Sequence, residues 1–371
     1  AWGRNESGQL GLNTGPGDQG SRSSPTQVGS LGTWKSVSYN IAVRSDNTLW
    51  TWGDNSWGQL GNGKAHPSPA PNRNKSSPVQ LPGSWSTEVG AINGGGSVRM
   101  AVKTDGSLWM WGINAAGALG QNNKTARSSP VQVNGSGWGT GYKNMVTGGS
   151  TANIKTDGSL WMWGDNQEGE LGQSNKTAYS SPVQVGSGTD WSTISMQFAT
   201  IAAVKTDGSL YCWGKNEYGQ IGANNRTGTW DDYSSPKQIP GTWSEASVGY
   251  GYMIATKTDG SAWAWGYNAN GCLGLNQGLP KSKSSPTQIP GTTWSKPIKQ
   301  MYVYTSGAFK TDGSLWMWGD NDYGQLGQNL ASEPGNQPGA RKSSPVQVPG
   351  NWNQTVNVTN EGKATQALRE L

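Results

Sequence analysis

The stretch Ala101-Val102-Lys103-Thr104-Asp105-Gly106-Ser107-Leu108-Trp109-Met110-Trp111-Gly112 carries the reading of the fold. Asp105-Gly106 is a hairpin signal between two β-rich runs, because Gly tolerates the positive φ that a tight turn demands. Past the turn the side chains alternate, with Leu108 and Met110 on one face and Trp109 and Trp111 on the other. A strand that is apolar on both faces belongs between packed sheets.

The same block recurs along the chain as Lys-Thr-Asp-Gly-Ser-Leu-Trp-x-Trp-Gly-x-Asn-x-x-Gly-Gln-Leu-Gly. Its Trp-Gly pairs begin at Trp2, Trp52, Trp111, Trp163, Trp213, Trp265 and Trp318, spaced 50 to 59 residues apart. A second marker, Ser-Ser-Pro-x-Gln, places its prolines at Pro25, Pro78, Pro130, Pro182, Pro236, Pro286 and Pro345. A third is an isolated Trp that follows each of those prolines by 7 to 9 residues: Trp34, Trp85, Trp138, Trp191, Trp243, Trp294 and Trp352. The run after the proline reads as an outer strand, where Pro is tolerated, and the run after the isolated Trp reads as another. Four short strands per repeat, seven times over, predict an all-β, seven-bladed β-propeller with four-stranded blades, a single domain over residues 1–371.

The two ends read as halves of one unit. Trp352 to Leu371 holds the isolated Trp and a run, Gln366-Ala367-Leu368-Arg369, that matches Ile41-Ala42-Val43-Arg44, and Ala1-Trp2-Gly3 begins with the part still missing. The closing blade is therefore expected from 352–371 plus 1–28, which removes open sheet edges. No Asp-Gly-x-Leu-Trp occurs at the join, so an imperfect blade or absent residues are expected there.

Composition excludes much. The chain has 371 residues, with 56 Gly and 21 Trp but only two Phe, two Cys and one His, and no run approaches the roughly 18 apolar residues of a membrane span. A single His removes most metal sites and His-based nucleophile triads. Cys212 and Cys272 form no Cys-x-x-Cys, so no disulfide framework, zinc site or cofactor is expected. The net charge of +5 comes without any dense Lys/Arg cluster, so it does not point to nucleic acid. The turn aspartates Asp46, Asp105, Asp157, Asp207, Asp259 and Asp312 share one setting, which indicates turn chemistry; a catalytic pair needs unequal environments. No enzyme is expected.

The pattern Asp-Gly-x-Leu-Trp-x-Trp-Gly-x-Asn-x-x-Gly-Gln-Leu-Gly resembles the regulator-of-chromosome-condensation repeat over nearly the whole chain. The resemblance implies a seven-bladed propeller and a role in recognition. Members serve as exchange factors for small GTPases, enzyme inhibitors, ligase-associated modules and repeats of bacterial and bacteriophage surface proteins. The polar, Asn/Ser/Thr/Gly-rich repeats are closest in style to the last group. The family also includes a plant ultraviolet-B photoreceptor built on Gly-Trp-Arg-His-Thr repeats. The lone His66 lies in Lys-Ala-His-Pro, so that motif is absent.

Nineteen of the 21 Trp fall in repeat slots: seven at Trp-Gly, seven isolated, and five at Leu-Trp (Trp50, Trp109, Trp161, Trp263 and Trp316). A buried Trp contributes roughly 4–6 kcal/mol gross, enough to build a core almost without Phe. Of the remaining two, Trp57 occupies a variable slot of the repeat that holds Ser7, Ala116, Glu168, Tyr218, Asn270 and Tyr323 elsewhere, and Trp230 sits in a variable loop between Gly-Gln-Leu-Gly and Ser-Ser-Pro. From last Gly to first Ser those loops take 12, 15, 8, 8, 12, 10 and 16 steps. Specificity usually resides on such loops, so Trp57, Tyr218, Trp230, Tyr233 and Tyr323 are the candidate contact residues. A second candidate is a basic ring of Arg44, Lys103, Lys155, Lys205, Lys257, Lys310 and Arg369, which could attract a phosphate backbone or an anionic glycan. The expected role is a non-catalytic scaffold at a virion or cell surface that engages a glycan or a protein, in an extracellular setting. The alternatives are an intracellular regulator that binds a protein partner, of the small-GTPase exchange-factor or inhibitor type, and a structural unit of a larger assembly.

Overall fold

The computed structural model describes residues 1–3, 5, 7–13, 22, 24–29, 34–38, 40–64, 74–88, 90–139, 144–146, 149–224, 232–277, 282–298, 304–322, 324–328, 341–350, 352, 359–361 and 364–366. Its strands begin with β1 (Trp2–Gly3) and continue as six antiparallel blades of four. Blade 1 is β2 (Trp34–Ser38), β3 (Ile41–Arg44), β4 (Leu49–Gly53) and β5 (Lys75–Leu81). Blade 2 is β6 (Ile92–Gly95), β7 (Val98–Val102), β8 (Leu108–Gly112) and β9 (Arg127–Gln132). Blade 3 is β10 (Asn144–Val146), β11 (Ser150–Ile154), β12 (Leu160–Gly164) and β13 (Tyr179–Gln184). Blade 4 is β14 (Trp191–Gln197), β15 (Thr200–Lys205), β16 (Leu210–Gly214) and β17 (Tyr233–Ile239). Blade 5 is β18 (Trp243–Val248), β19 (Tyr252–Lys257), β20 (Ala262–Gly266) and β21 (Lys283–Gln288). Blade 6 is β22 (Trp294–Pro297), β23 (Thr305–Lys310), β24 (Leu315–Gly319) and β25 (Lys342–Val348).

Each blade is a meander in chain order, so this is an all-β propeller. The first strands of neighbouring blades pack on one another, β6 on β2 and β10, β14 on β10 and β18, and β22 on β18. They form the inner wall, and the Ser-Ser-Pro strands lie at the periphery, where Pro is tolerated. Polar contacts cross between inner strands: Ser195 Oγ accepts from Val248 N at 3.0 Å, and Ser247 Oγ donates to Ile298 O at 2.5 Å.

The repeat motif is an inter-blade fastener. The Trp-Gly indole of each blade donates from Nε1 to a backbone carbonyl in the Gly-Gln-Leu-Gly turn of the preceding repeat. Trp52 reaches Gln9, Trp111 Gln59, Trp163 Ala118, Trp213 Glu170, Trp265 Gln220, Trp318 Cys272 and Trp2 Gln325, at 2.8–3.1 Å. Within that turn the motif Asn accepts from the backbone N of the Leu position, as in Asn166 Oδ1 with Leu171 N at 2.8 Å. Both motif glycines are demanded by this contact. A Cβ on Gly117 (φ +89°) would lie 2.7 Å from Ser180 Cα, and one on Gly120 (φ +66°) would lie 2.9 Å from Trp163 Nε1.

The termini meet in a sheet of three strands, β1 with β27 (Ala364–Gln366) and β27 with β26 (Thr359–Glu361). Trp2 pairs with Thr365, as Trp163 pairs with Thr151, so the alignment of Gln366 with Ile41 holds in register. Beside it, Ala1 and Thr26 exchange backbone hydrogen bonds of 2.8 and 3.0 Å, the counterpart of the Met162–Val183 pair in blade 3.

Candidate partner-binding face

Antiparallel register fixes two rims. In blade 2, Val102 pairs with Leu108 at one end of β7 and β8, and Val98 pairs with Gly112 at the other. The Lys-Thr-Asp-Gly-Ser hairpins therefore share one rim. The turns between first and second strands share the opposite rim with the loops that follow Trp-Gly.

On the hairpin rim the basic residues are enclosed by aromatic rings. Each sits opposite, or beside, the isolated Trp of its own blade and next to the Leu-Trp ring: Trp34 pairs with Arg44, Trp191 with Lys205, Trp243 with Lys257 and Trp294 with Lys310. Arg44 lies over Trp34 and Trp50, Lys103 over Trp85 and Trp109, and Lys155 over Trp138 and Trp161. Lys205 lies over Trp191 and Tyr211, Lys257 over Trp243 and Trp263, and Lys310 over Trp294 and Trp316. The cation-to-centroid distances span 3.7–5.4 Å, the range of favourable cation–π contact. Below the Leu-Trp ring the hairpins of blades 1, 2, 3, 5 and 6 hold a relay. Trp109 Nε1 donates to Ser107 Oγ at 2.8 Å, and Ser107 Oγ donates to Asp105 Oδ1 at 2.5 Å, with equivalents at Asp46, Asp157, Asp259 and Asp312. Hydrogen bonds from the Ser or Thr two residues on hold all six turn carboxyls, Asp207 included, below their ordinary range. Arg369 lies outside the described residues.

The loop rim differs from blade to blade. Trp57 on blade 1 is 47% exposed, a large apolar ring turned to solvent. Tyr233 is half-buried on β17, opposite Gly214, and packs against both the core shared by blades 3 and 4 and the core shared by blades 4 and 5. Trp230 and Tyr323 fall outside the described residues. Tyr218 lies over blade 5, where a Cβ on Gly251 would come 2.6 Å from its ring, and it stacks against Tyr267 at 4.4 Å and 35°.

Tyr218 also leads to a cluster that the motif reading missed. Tyr267 contacts Tyr304 at 5.6 Å, Tyr304 contacts Tyr250 at 5.6 Å, and Tyr250 contacts Phe198 at 4.5 Å. Five aromatic side chains from blades 4, 5 and 6 thus form one arc, with Phe198 40% exposed at its end. The available signal was the turn between first and second strands, where the corresponding positions hold Asn40, Gly149 and Ser97 in other blades. Burial, followed by the neighbouring Glu217 carboxylate, pushes the Tyr218 phenol up to about 12, so it stays protonated.

Beside Tyr218 lies a charge cluster that bridges blades 3 and 4. Lys176 pairs with Asp232 at 3.0 Å and reaches Glu168 at 3.9 Å, and Lys215 pairs with Glu217 at 3.0 Å. Beneath it Glu170 occupies the slot of Gln9, Gln59, Gln220 and Gln325. It is buried, and it accepts from Glu168 N at 3.0 Å and from Ser150 Oγ at 3.4 Å. Burial raises its carboxyl to about 7, with Asp165 and Glu168 adding to the effect. Among the described residues no group of three or more His, Cys, Asp or Glu side chains is placed to hold a metal ion, and no helix is long and apolar enough to cross a membrane. Cys212 and Cys272 are both buried and free, and burial pushes their thiols up.

Comparison with known proteins accords with this architecture. The family model for the regulator of chromosome condensation (RCC1) repeat matches residues 1–39, 46–102, 105–141, 157–196, 207–255, 259–302 and 312–359. The chain belongs to the RCC1 repeat family. The ultraviolet-B receptor UVR8 of Arabidopsis thaliana is 28% identical over 347 residues, covering 88% of this chain and 74% of the receptor. The mitochondrial RCC1 domain-containing protein RUG3 of the same plant is 27% identical, covering 88% of this chain and 78% of RUG3. Among solved structures, human WBSCR16 superposes with a TM-score of 0.79 at 19% identity, covering 100% of this chain and 99% of that one. Prp20p of Saccharomyces cerevisiae, described with its binding properties to Gsp1p and histones, gives 0.73 at 18% identity, covering 94% and 85%. These two likenesses concern the fold.

Proposed function

We propose that this RCC1-repeat chain is a non-catalytic recognition scaffold: one seven-bladed ring over residues 1–371, closed by a blade shared between 352–371 and 1–28. Its loop rim engages a surface glycan or surface protein, in the manner of virion- or cell-surface members. The observation that carries this reading is the unequal use of the two rims. The hairpin rim packs its cations against its own aromatic rings and bonds its turn carboxylates within each hairpin, whereas the loop rim sets half-buried aromatic rings from several blades side by side, as interface anchors are. The polar, Asn/Ser/Thr/Gly-rich repeats support an extracellular or virion-surface setting. The bond from Trp2 to Gln325 and the β1–β27 pair support closure.

A second reading, an intracellular regulator that binds a protein partner, draws on the likeness in fold to Prp20p, which binds Gsp1p and histones. Labelled propeller applied to intact cells and to an immobilised glycan panel tests the choice. Saturable surface binding is expected. No surface binding, together with nucleotide-exchange activity on a small GTPase, would overturn the first reading in favour of the second. A discrete high-mass assembly of purified chain that binds nothing would instead indicate a structural unit.

A further inference from the structure

We infer that the arc Phe198–Tyr250–Tyr304–Tyr267–Tyr218 is a binding platform for a neutral oligosaccharide, an inference that rests on the recognition reading above and names the ligand of that rim. The arc is continuous, with successive ring centroids 4.4–5.6 Å apart, and its rings come from three blades, so no single hairpin's packing accounts for it. Four of the five rings carry a hydroxyl. Such a surface offers π-faces to the C–H faces of pyranose rings and hydrogen-bonding groups at the ring edges to their hydroxyls.

Backbone conformation is a second, independent observation. Phe198 (φ +43°), Ala199 (φ +60°) and Tyr304 (φ +61°) adopt the left-handed region that Asn40 (φ +57°) and Gly251 (φ +74°) occupy in the matching turns of blades 1 and 5. A bulky aromatic residue there is strained, and such strain concentrates at ligand-binding sites. Because each ring is held by its neighbours, little rotamer freedom remains to be lost on binding.

Charge selects the class of ligand. The ionised groups beside the arc are already paired, Lys215 with Glu217 and Lys176 with Asp232, and Glu168 adds a carboxyl whose ionisation burial opposes. Two ammonium groups face three carboxyls there, so a polyanion meets no excess of positive charge, whereas a neutral polyol needs none.

Titration calorimetry of the full chain against short oligomers of glucose, mannose and N-acetylglucosamine, with sialylated and sulfated oligomers as charged arms, tests the inference. At least one neutral oligomer is expected to bind saturably and independently of salt. Tyr250→Ala and Tyr304→Gly should each weaken it roughly three- to tenfold. Tyr304→Gly relieves the strained φ while giving up packing against the blade 5–6 core, so its unfolding midpoint is measured alongside and the variant should remain folded. Lys103→Met on the opposite rim should leave affinity unchanged. Binding of charged oligomers alone, or neutral binding insensitive to both arc variants, would overturn the inference. If surface binding is retained, no neutral oligomer binds and the arc variants abolish capture of a surface protein, then the sugar assignment fails and the recognition reading stands.

Discussion

The two rims are built from the same seven-fold sequence pattern yet follow opposite chemistry. On the hairpin rim Lys103, Lys155 and Lys257 each sit over two indoles, and the Ser and Asp beneath complete the relay. On the loop rim the matching turn positions hold Asn40 in blade 1, Ala199 in blade 4 and Tyr304 in blade 6, and the rings there meet across blades. Residues that repeat pack mainly within their own blade. Residues that vary bring rings of different blades together.

The comparison is broken most severely by attacking the fastener that serves both rims. Trp163→Ala removes a fully buried ring and its bond to Ala118, and should cost about 3–5 kcal/mol in denaturant unfolding. Glu170 gives the next effect, with a defined sign. Unfolded, its carboxyl titrates near 4.5; folded, near 7. Between those values the unfolded chain releases its proton first, so this group lowers stability as pH rises and contributes a constant penalty above about 7. Glu170→Gln, the residue found in four other repeats, should flatten that slope and stabilise the protein at pH 8 by on the order of 2–3 kcal/mol. Lys257→Met tests the hairpin brace. It should destabilise by about 0.5–1 kcal/mol, and the difference should change little with added salt. A larger, strongly salt-dependent effect would mean that the cation acts through long-range charge instead. The smallest effect belongs to Trp57→Ser, which should leave stability within about 0.5 kcal/mol of the parent. A substantial loss would show that this ring packs on its own turn and belongs with the scaffold.

Much of the fold was legible because the repeat imposes one physical constraint seven times. Asp105-Gly106 marked the hairpin, the Leu108/Trp109 alternation marked a strand buried on both faces, and the prolines marked edges, all from short-range stereochemistry. The candidate site was less legible. Tyr218 was found in its variable slot, but Phe198, Tyr250, Tyr267 and Tyr304 were missed, being scattered over more than a hundred residues with no shared motif. The basic ring was seen as a row of charges. That each described cation lies over two aromatic rings follows from cross-strand register, as in Trp243 opposite Lys257, and the repeat letters alone do not display it.

By itself, the sequence determined the blade: where strands start, where they turn, which edge is outermost, and which tryptophans belong to the scaffold. Those features depend on contacts between residues close in the chain or at a fixed offset within one repeat. Only the tertiary structure decided which side chains from different blades become neighbours. That depends on stacking sheets around a common axis, which brings Tyr218 over Gly251 and Tyr250 against Tyr304, across separations that no local rule spans.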